Sequence, residues 1–170
     1  NNEALRWACS GGHLEVARWL QQTFQLVAPN ALVVQYEALR WACSGGHLEV
    51  ARWLVQTFQL TAANARTEGT SALRNACMNG HLVVARWLQQ TFQISAFDVR
   101  AADNPALYSA CVNGHLEVAH WLQQTFQITA ADVRAKDENI LHGVCAGGHL
   151  EVARWLQQTF QLTEADARAK

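Results

Sequence analysis

The residues with the most suggestive chemistry are five cysteines, each followed four positions later by a histidine. The pairs are Cys9 and His13, Cys43 and His47, Cys77 and His81, Cys111 and His115, and Cys145 and His149. Thiolate and imidazole are the usual protein ligands of zinc, and a thiol beside an imidazole can also serve redox chemistry. The pairs stand 34 residues apart. If they lie on stacked helices, equivalent residues are ~8–10 Å apart. That exceeds the ~7 Å limit on Cα separation for a disulfide and is poorly suited to sharing one ion at ~2.0–2.3 Å ligand distances. The cysteines fall on an apolar helix face, where a free thiol behaves as a small hydrophobe. Packing is therefore expected of the cysteine column and a backbone hydrogen bond of the histidine column, with no metal and no cofactor. A metal- or redox-responsive domain is the alternative. No P-loop, no G-x-S-x-G and no H-E-x-x-H is present in the sequence, so a non-enzymatic role is expected.

The elements that position these residues repeat with the same period. Five units, 1–34, 35–68, 69–102, 103–136 and 137–170, account for all 170 residues and are expected to form one repeat domain. The common unit reads D-N-x-A-L-R-x-A-C-x-G-G-H-L-E-V-A-R-W-L-Q-Q-T-F-Q-L-T-A-A-D-V-R-A-K. Within it, positions 3–10 predict a short helix whose apolar face is Ala4, Leu5, Ala8 and Cys9 in the first unit. In the fourth unit Asn104-Pro105 supplies an N-cap and a proline at the first helical position. Gly-Gly or Asn-Gly ends this helix, because those residues tolerate a left-handed C-cap. Positions 13–25 predict a longer second helix, with Leu14, Ala17, Leu20 and Phe24 as its main stripe and Val16 and Trp19 widening it. The tryptophan column is expected to pack rather than to form a binding cage. In the connector, Thr129-x-x-Asp132 and Thr163-x-x-Asp166 have the form of a capping box, which predicts a helical turn rather than a strand.

The run A-L-x-x-A-C-x-x-G-H-L-E-V-A-R-W-L, present five times in register, resembles the ankyrin repeat. It covers about half of each unit; the W-x2-L-G-x2-Y opening of tetratricopeptide units is absent. Two departures stand out. The ankyrin T-P-L-H tetrapeptide is replaced by x-A-L-R, and the connector is shorter beyond its Asp while the second helix is longer. The resemblance implies an all-α solenoid of five ankyrin-like helix-turn-helix repeats with little or no β-structure, the projecting hairpin shortened or lost. It also implies a protein-binding role, with the first helices lining the target-binding side.

Composition narrows the partners. Thirteen Lys+Arg against fourteen Asp+Glu give a net charge of −1, far from the basic footprint of a nucleic-acid binder. No apolar run approaches the ~20 residues that span a bilayer, so no membrane partner is expected. An odd number of cysteines points to a reducing compartment, the cytoplasm or the inside of a host cell into which the chain is delivered. The chain begins at Asn1, and neither end carries the polar outer face of a capping repeat, so a monomer or a fragment of a longer array is expected.

Thirteen positions are identical in all five units, and they describe the scaffold; the differences locate the function. Positions 3, 6, 7 and 10 vary most on the first helix and share one face opposite the apolar one. The expected partner-binding residues are Arg6, Trp7, Val33, Val34, Tyr36, Arg40, Trp41, Arg74, Asn75, Met78, Tyr108, Val112 and His142. Trp7, Val34, Tyr36 and Trp41 form the expected hot spot, since aromatic residues, Met and Arg are enriched in interfaces. Gly143, inside a predicted helix, suggests either close approach by a partner or simple drift. Variation confined to one face of a constant framework fits two origins, diversified duplication as in an effector and an engineered binder.

Overall fold

The computed structural model describes residues 3–24, 31–101, 105–134 and 140–168, with the side chains of 31–34, 62–68, 101 and 105 outside that description. Asn104 and Asn139 fall outside it, as does most of the first connector. Every element is a helix: α1 (Glu3–Ser10), α2 (Leu14–Phe24), α3 (Ala31–Ser44), α4 (Leu48–Thr57), α5 (Ala62–Met78), α6 (Leu82–Thr91), α7 (Ala96–Ala101), α8 (Pro105–Val112), α9 (Leu116–Phe126), α10 (Ala130–Arg134), α11 (Ile140–Ala146), α12 (Leu150–Phe160) and α13 (Glu164–Arg168). No strand occurs among the described residues.

The chain divides into two compact units, residues 1–76 with 83–94, and residues 77–82 with 95–170. In the first, α1 packs on α2 and on α3, and α3 packs on α4. In the second, α8 packs on α9 and α11, and α11 packs on α12. The pattern in both is a helix pair set beside the next helix pair, as the ankyrin-like solenoid requires.

Each turn between paired helices is built the same way. Gly12, Gly46, Gly80, Gly114 and Gly148 have φ between 73° and 80°, a left-handed conformation that side chains with a Cβ resist. The following histidine closes a six-residue Schellman-type bond: the His13 N–H reaches the Ala8 carbonyl at 2.8 Å, and that of His47 reaches Ala42 at 2.9 Å. The far end of the second helix also turns left-handed, but on glutamine. Gln59, Gln93, Gln127 and Gln161 have φ of 49–50°. The next residue, Leu60, Ile94, Ile128 or Leu162, bonds back five positions at 3.1–3.2 Å and is buried. Burial of that apolar residue holds the glutamine in a conformation costing ~1–2 kcal/mol.

The connectors are helical, as the capping boxes predict. Asp132 Oδ2 accepts from the Thr129 N–H and hydroxyl, both at 2.8 Å, and Asp166 accepts likewise from Thr163 at 2.7 and 2.9 Å. Ser95 and Asp98 make a third such box at 2.9 and 2.6 Å. In the second and third repeats, however, the connector helix runs on into the first helix, giving α3 and α5 their 14 and 17 residues in place of eight. In the fourth repeat, Pro105 opens α8 with no N–H to donate, so a helix from α7 cannot continue through it.

The core differs from expectation on both helices. On the first helix Leu5, Ala8, Cys9 and their equivalents in the second, third and fourth repeats are buried as expected, and so is Val144 in the fifth, but Ala4 is exposed, Leu141 is half-buried and Cys145 is exposed. On the second helix the Val50, Val84, Val118 and Val152 column is buried to 2% exposure or less, whereas Leu14, Leu48, Leu82 and Leu116 are only half-buried. Phe92, Phe126 and Phe160 are buried, and each second-helix Trp meets the Phe five residues on, edge to face, at 5.6–6.5 Å between ring centres. That pairing within each repeat gives the tryptophan column a packing partner.

Candidate functional site

The variable face of the first helices is best formed on α1 and α3. Trp7 is 75% exposed and Trp41 49%. With Glu3, Arg6 and Ser10 they line a recess of about 220 Å³. Arg6 is paired across the repeat boundary: its Nη1 donates to Glu37 Oε2 at 2.6 Å, and its Nη2 lies 3.6 Å from Glu3 Oε1. Two acids around one guanidinium hold Arg6 in place, so the recess lined by the two indoles also presents a fixed cationic group. The backbone below it is tied across the repeat boundary, where His47 Nε2 donates to the Ser10 carbonyl oxygen at 3.0 Å. That is the backbone bond expected of the histidine column, made to the neighbouring repeat.

The remaining expected residues divide by unit. In the first unit Arg40 is half-buried, its Nε enclosed with no hydrogen-bond partner among the described residues; Arg74 is exposed and Asn75 half-buried. In the second, Met78 is exposed and Tyr108 and Val112 are half-buried. His142 is exposed, and its Nε2 donates to the Ala167 carbonyl at 3.1 Å, which commits that nitrogen to α13. Val33 and Val34 fall on α3, but their side chains lie outside the described residues.

Tyr36 is a correction. It is only 4% exposed, because fusion of the connector with α3 places it on the inward face of a continuous helix. It belongs to the buried core of the first unit. Gly143 is a second correction. A Cβ there would lie 2.5 Å from Val112 Cγ2 and 3.3 Å from the Tyr108 hydroxyl. The glycine makes room for the neighbouring helix's side chains, so neither a partner nor drift is needed to account for it.

The thiols have the character of packing groups. Cys9, Cys43, Cys77 and Cys111 are buried and Cys145 is exposed, all five free. Burial pushes the Cys9 thiol up to about 12 and those of Cys43, Cys77 and Cys111 higher still. No group of three or more His, Cys, Asp or Glu side chains that could hold a metal occurs among the described residues. No helix among them is long and apolar enough to cross a membrane.

A second ladder was not anticipated from the sequence. Arg100 Nη2 donates to the carbonyls of Phe126 and Gln127 at 3.2 and 2.9 Å, and its Nε lies 3.3 Å from Asp132. Arg134 repeats this on Gln161 and Asp166, at 3.2 Å and 2.8 Å. Arg100 and Arg134 thus each cap the second helix of the next repeat and pair with its connector aspartate. The recurring Asp-x-Arg was the available signal. Asp132 is thereby held below the usual carboxylate range: desolvation opposes the shift, and the Thr129 N–H and hydroxyl and the Arg100 guanidinium overcome it. Asp166 is lowered further, chiefly by the Arg134 hydrogen bond and then by Thr163.

Residues 39–89, from within α3 to within α6, match the family model for ankyrin repeats in many copies. No curated protein matches the chain. The matched stretch holds the same unit that recurs at 34-residue intervals on either side, with the same glycine turn, histidine and cysteine. The chain is thus similar to ankyrin repeats over residues 39–89 and consistent with an all-α ankyrin-like solenoid, its described connectors helical.

Proposed function

We propose that the chain is a non-catalytic scaffold that binds a partner protein through the first-helix face around Trp7 and Trp41. Ankyrin repeats generally mediate protein–protein interaction. The observation that carries the reading is the exposure of two indoles that line one recess with Arg6, Glu3 and Ser10. Each indole has about 200 Å² to bury, and exposed aromatic pairs of this kind mark interaction sites. Arg6, Arg40, Arg74 and Asn75 extend this surface within the first unit, and Met78, Tyr108, Val112 and His142 are the second unit's own candidate residues. A protein partner suits the near-neutral charge better than nucleic acid does. Five free thiols suit a reducing compartment.

The test is affinity capture on the intact chain, followed by the captured protein's affinity for Trp41→Ala and Trp7→Ala. Each substitution is expected to weaken binding by about 2 kcal/mol or more, with little change in melting temperature, since both side chains point away from the core. Trp41→Ala that keeps full affinity, or that unfolds the chain, would overturn the assignment of this face.

A further inference from the structure

Charge is not balanced evenly along the repeats. Among the described side chains, every arginine except Arg40, Arg74 and Arg86 lies within 3.6 Å of a carboxylate. Arg74 and Arg86 are exposed, so water satisfies them. Arg40 is half-buried, and its Nε is enclosed with no hydrogen-bond partner. Holding a cation partly out of water with no counter-charge costs free energy. The repeat before it treats the equivalent cation differently. Arg6 Nη1 donates to Glu37 Oε2 at 2.6 Å across the boundary between the first and second repeats. Arg40 stands 34 residues after Arg6, and 34 residues after Glu37 stands Ser71. The second boundary thus keeps the arginine and replaces the acid with a residue that carries no charge. Glu37, three residues before Arg40 on α3, is committed to Arg6. Both boundaries lie within the first unit.

We propose that an Asp or Glu side chain of the partner protein docks on Arg40 beside Trp41 and supplies the counter-charge that Glu37 gives to Arg6. This pairing presupposes that the first-helix face is the binding surface and gives that surface a chemistry: it selects an acidic segment. Charge complementarity favours the carboxylate. Arg6 is already compensated, whereas Arg40 and Arg74, at the same position in successive repeats, bring two positive charges to the face with no ion pair among the described residues. A guanidinium binds a carboxylate through charge-assisted N–H bonds. Arg40 has already lost part of its water, so less desolvation opposes the pairing. Trp41, the next residue and 49% exposed, offers an apolar contact beside the charge.

Ser71→Glu puts an internal carboxylate at the position equivalent to Glu37. It should raise the melting temperature by about 2–4 °C, and the gain should vanish in an Arg40→Met background. Arg40→Met alone should leave the melting temperature unchanged or higher, because it removes a half-buried charge that has no counter-ion. Binding is read with random peptides displayed on phage and selected on the intact wild-type chain. The selected peptides should share an Asp or Glu, and changing it to Asn or Gln should weaken binding about tenfold or more. Ser71→Glu and Arg40→Met should each cost a similar factor and remove the dependence on that acid. Trp41→Ala, read on the same peptides, separates the two levels. If it weakens binding while Arg40 and the acid do not matter, the face stands and the carboxylate docking is overturned. If binding is indifferent to Trp41, the face itself fails and the docking with it. Ser71→Glu that brings no stabilisation, or a selection that enriches no shared acid, would also overturn the proposal.

Discussion

At pH 8 and micromolar concentration, the native chain should show one fast thiol and four slow ones. The fast one is Cys145, the only exposed cysteine. The attacking species is the thiolate, and for Cys9, pushed up to about 12, the thiolate fraction at pH 8 is about one part in 10⁴. An ordinary solvated thiol, near 8.5, is roughly one-quarter ionised. Burial therefore suppresses Cys9 more than about a thousandfold through ionisation alone, and Cys43, Cys77 and Cys111 further. Steric closure adds to this, since all four are 0% exposed and react only when the repeat opens. The assay is release of a chromophoric disulfide reagent, once in buffer and once in denaturant, where all five should react together. Cys145→Ser should abolish the fast phase and leave four slow equivalents. Two or more fast thiols, or a fast phase that survives Cys145→Ser, would refute the packing role of the cysteine column. Either result would revive a redox-responsive reading.

Gln161→Gly should raise the denaturation midpoint by the equivalent of about 0.5–1 kcal/mol, because it relieves a left-handed residue at φ 50° at the lesser entropic cost of a glycine. Gly143→Ala should destabilise even though Ala is the better helix former by ~1 kcal/mol, since the new Cβ would overlap Val112 Cγ2. In a Val112→Ala background the same change should stabilise, and urea unfolding of the four proteins reads the sign reversal as a coupling term. Stability should fall on acidification below about pH 4. The folded-state pKa values of Asp132 and Asp166 are depressed, so their contribution is complete above the unfolded value and is lost as pH drops toward the folded one. Asp132→Asn with Asp166→Asn should flatten that acid limb in thermal melts taken from pH 7 to pH 2, and an unchanged slope would remove the connector boxes from the account.

Local chemistry was enough to place the turns and most of the helices. A glycine needed at positive φ, a threonine three residues before an aspartate, and an apolar face of Leu, Ala and Cys each act within a few residues, so five copies of the pattern define the unit. The exposed tryptophans were also legible, because a variable position opposite an invariant apolar face has nothing of its own to pack on. Other features depend on groups some 25 to 37 residues away. The burial of Tyr36 follows from a connector that became helix, and the need for Gly143 comes from Val112 on the adjacent helix. The histidine ring rests on the preceding repeat's glycine, and the arginine caps reach into the following repeat. Comparing repeats shows that equivalent residues share an environment without saying which neighbour supplies it. Val16 and Val50 make the limit plain. Residues Glu3–Leu20 and Glu37–Leu54 are identical in sequence, yet one valine is half exposed and the other sealed. Sequence determined that both belong to an amphipathic helix; only the presence of a repeat in front of Val50 decided which of them is in the core.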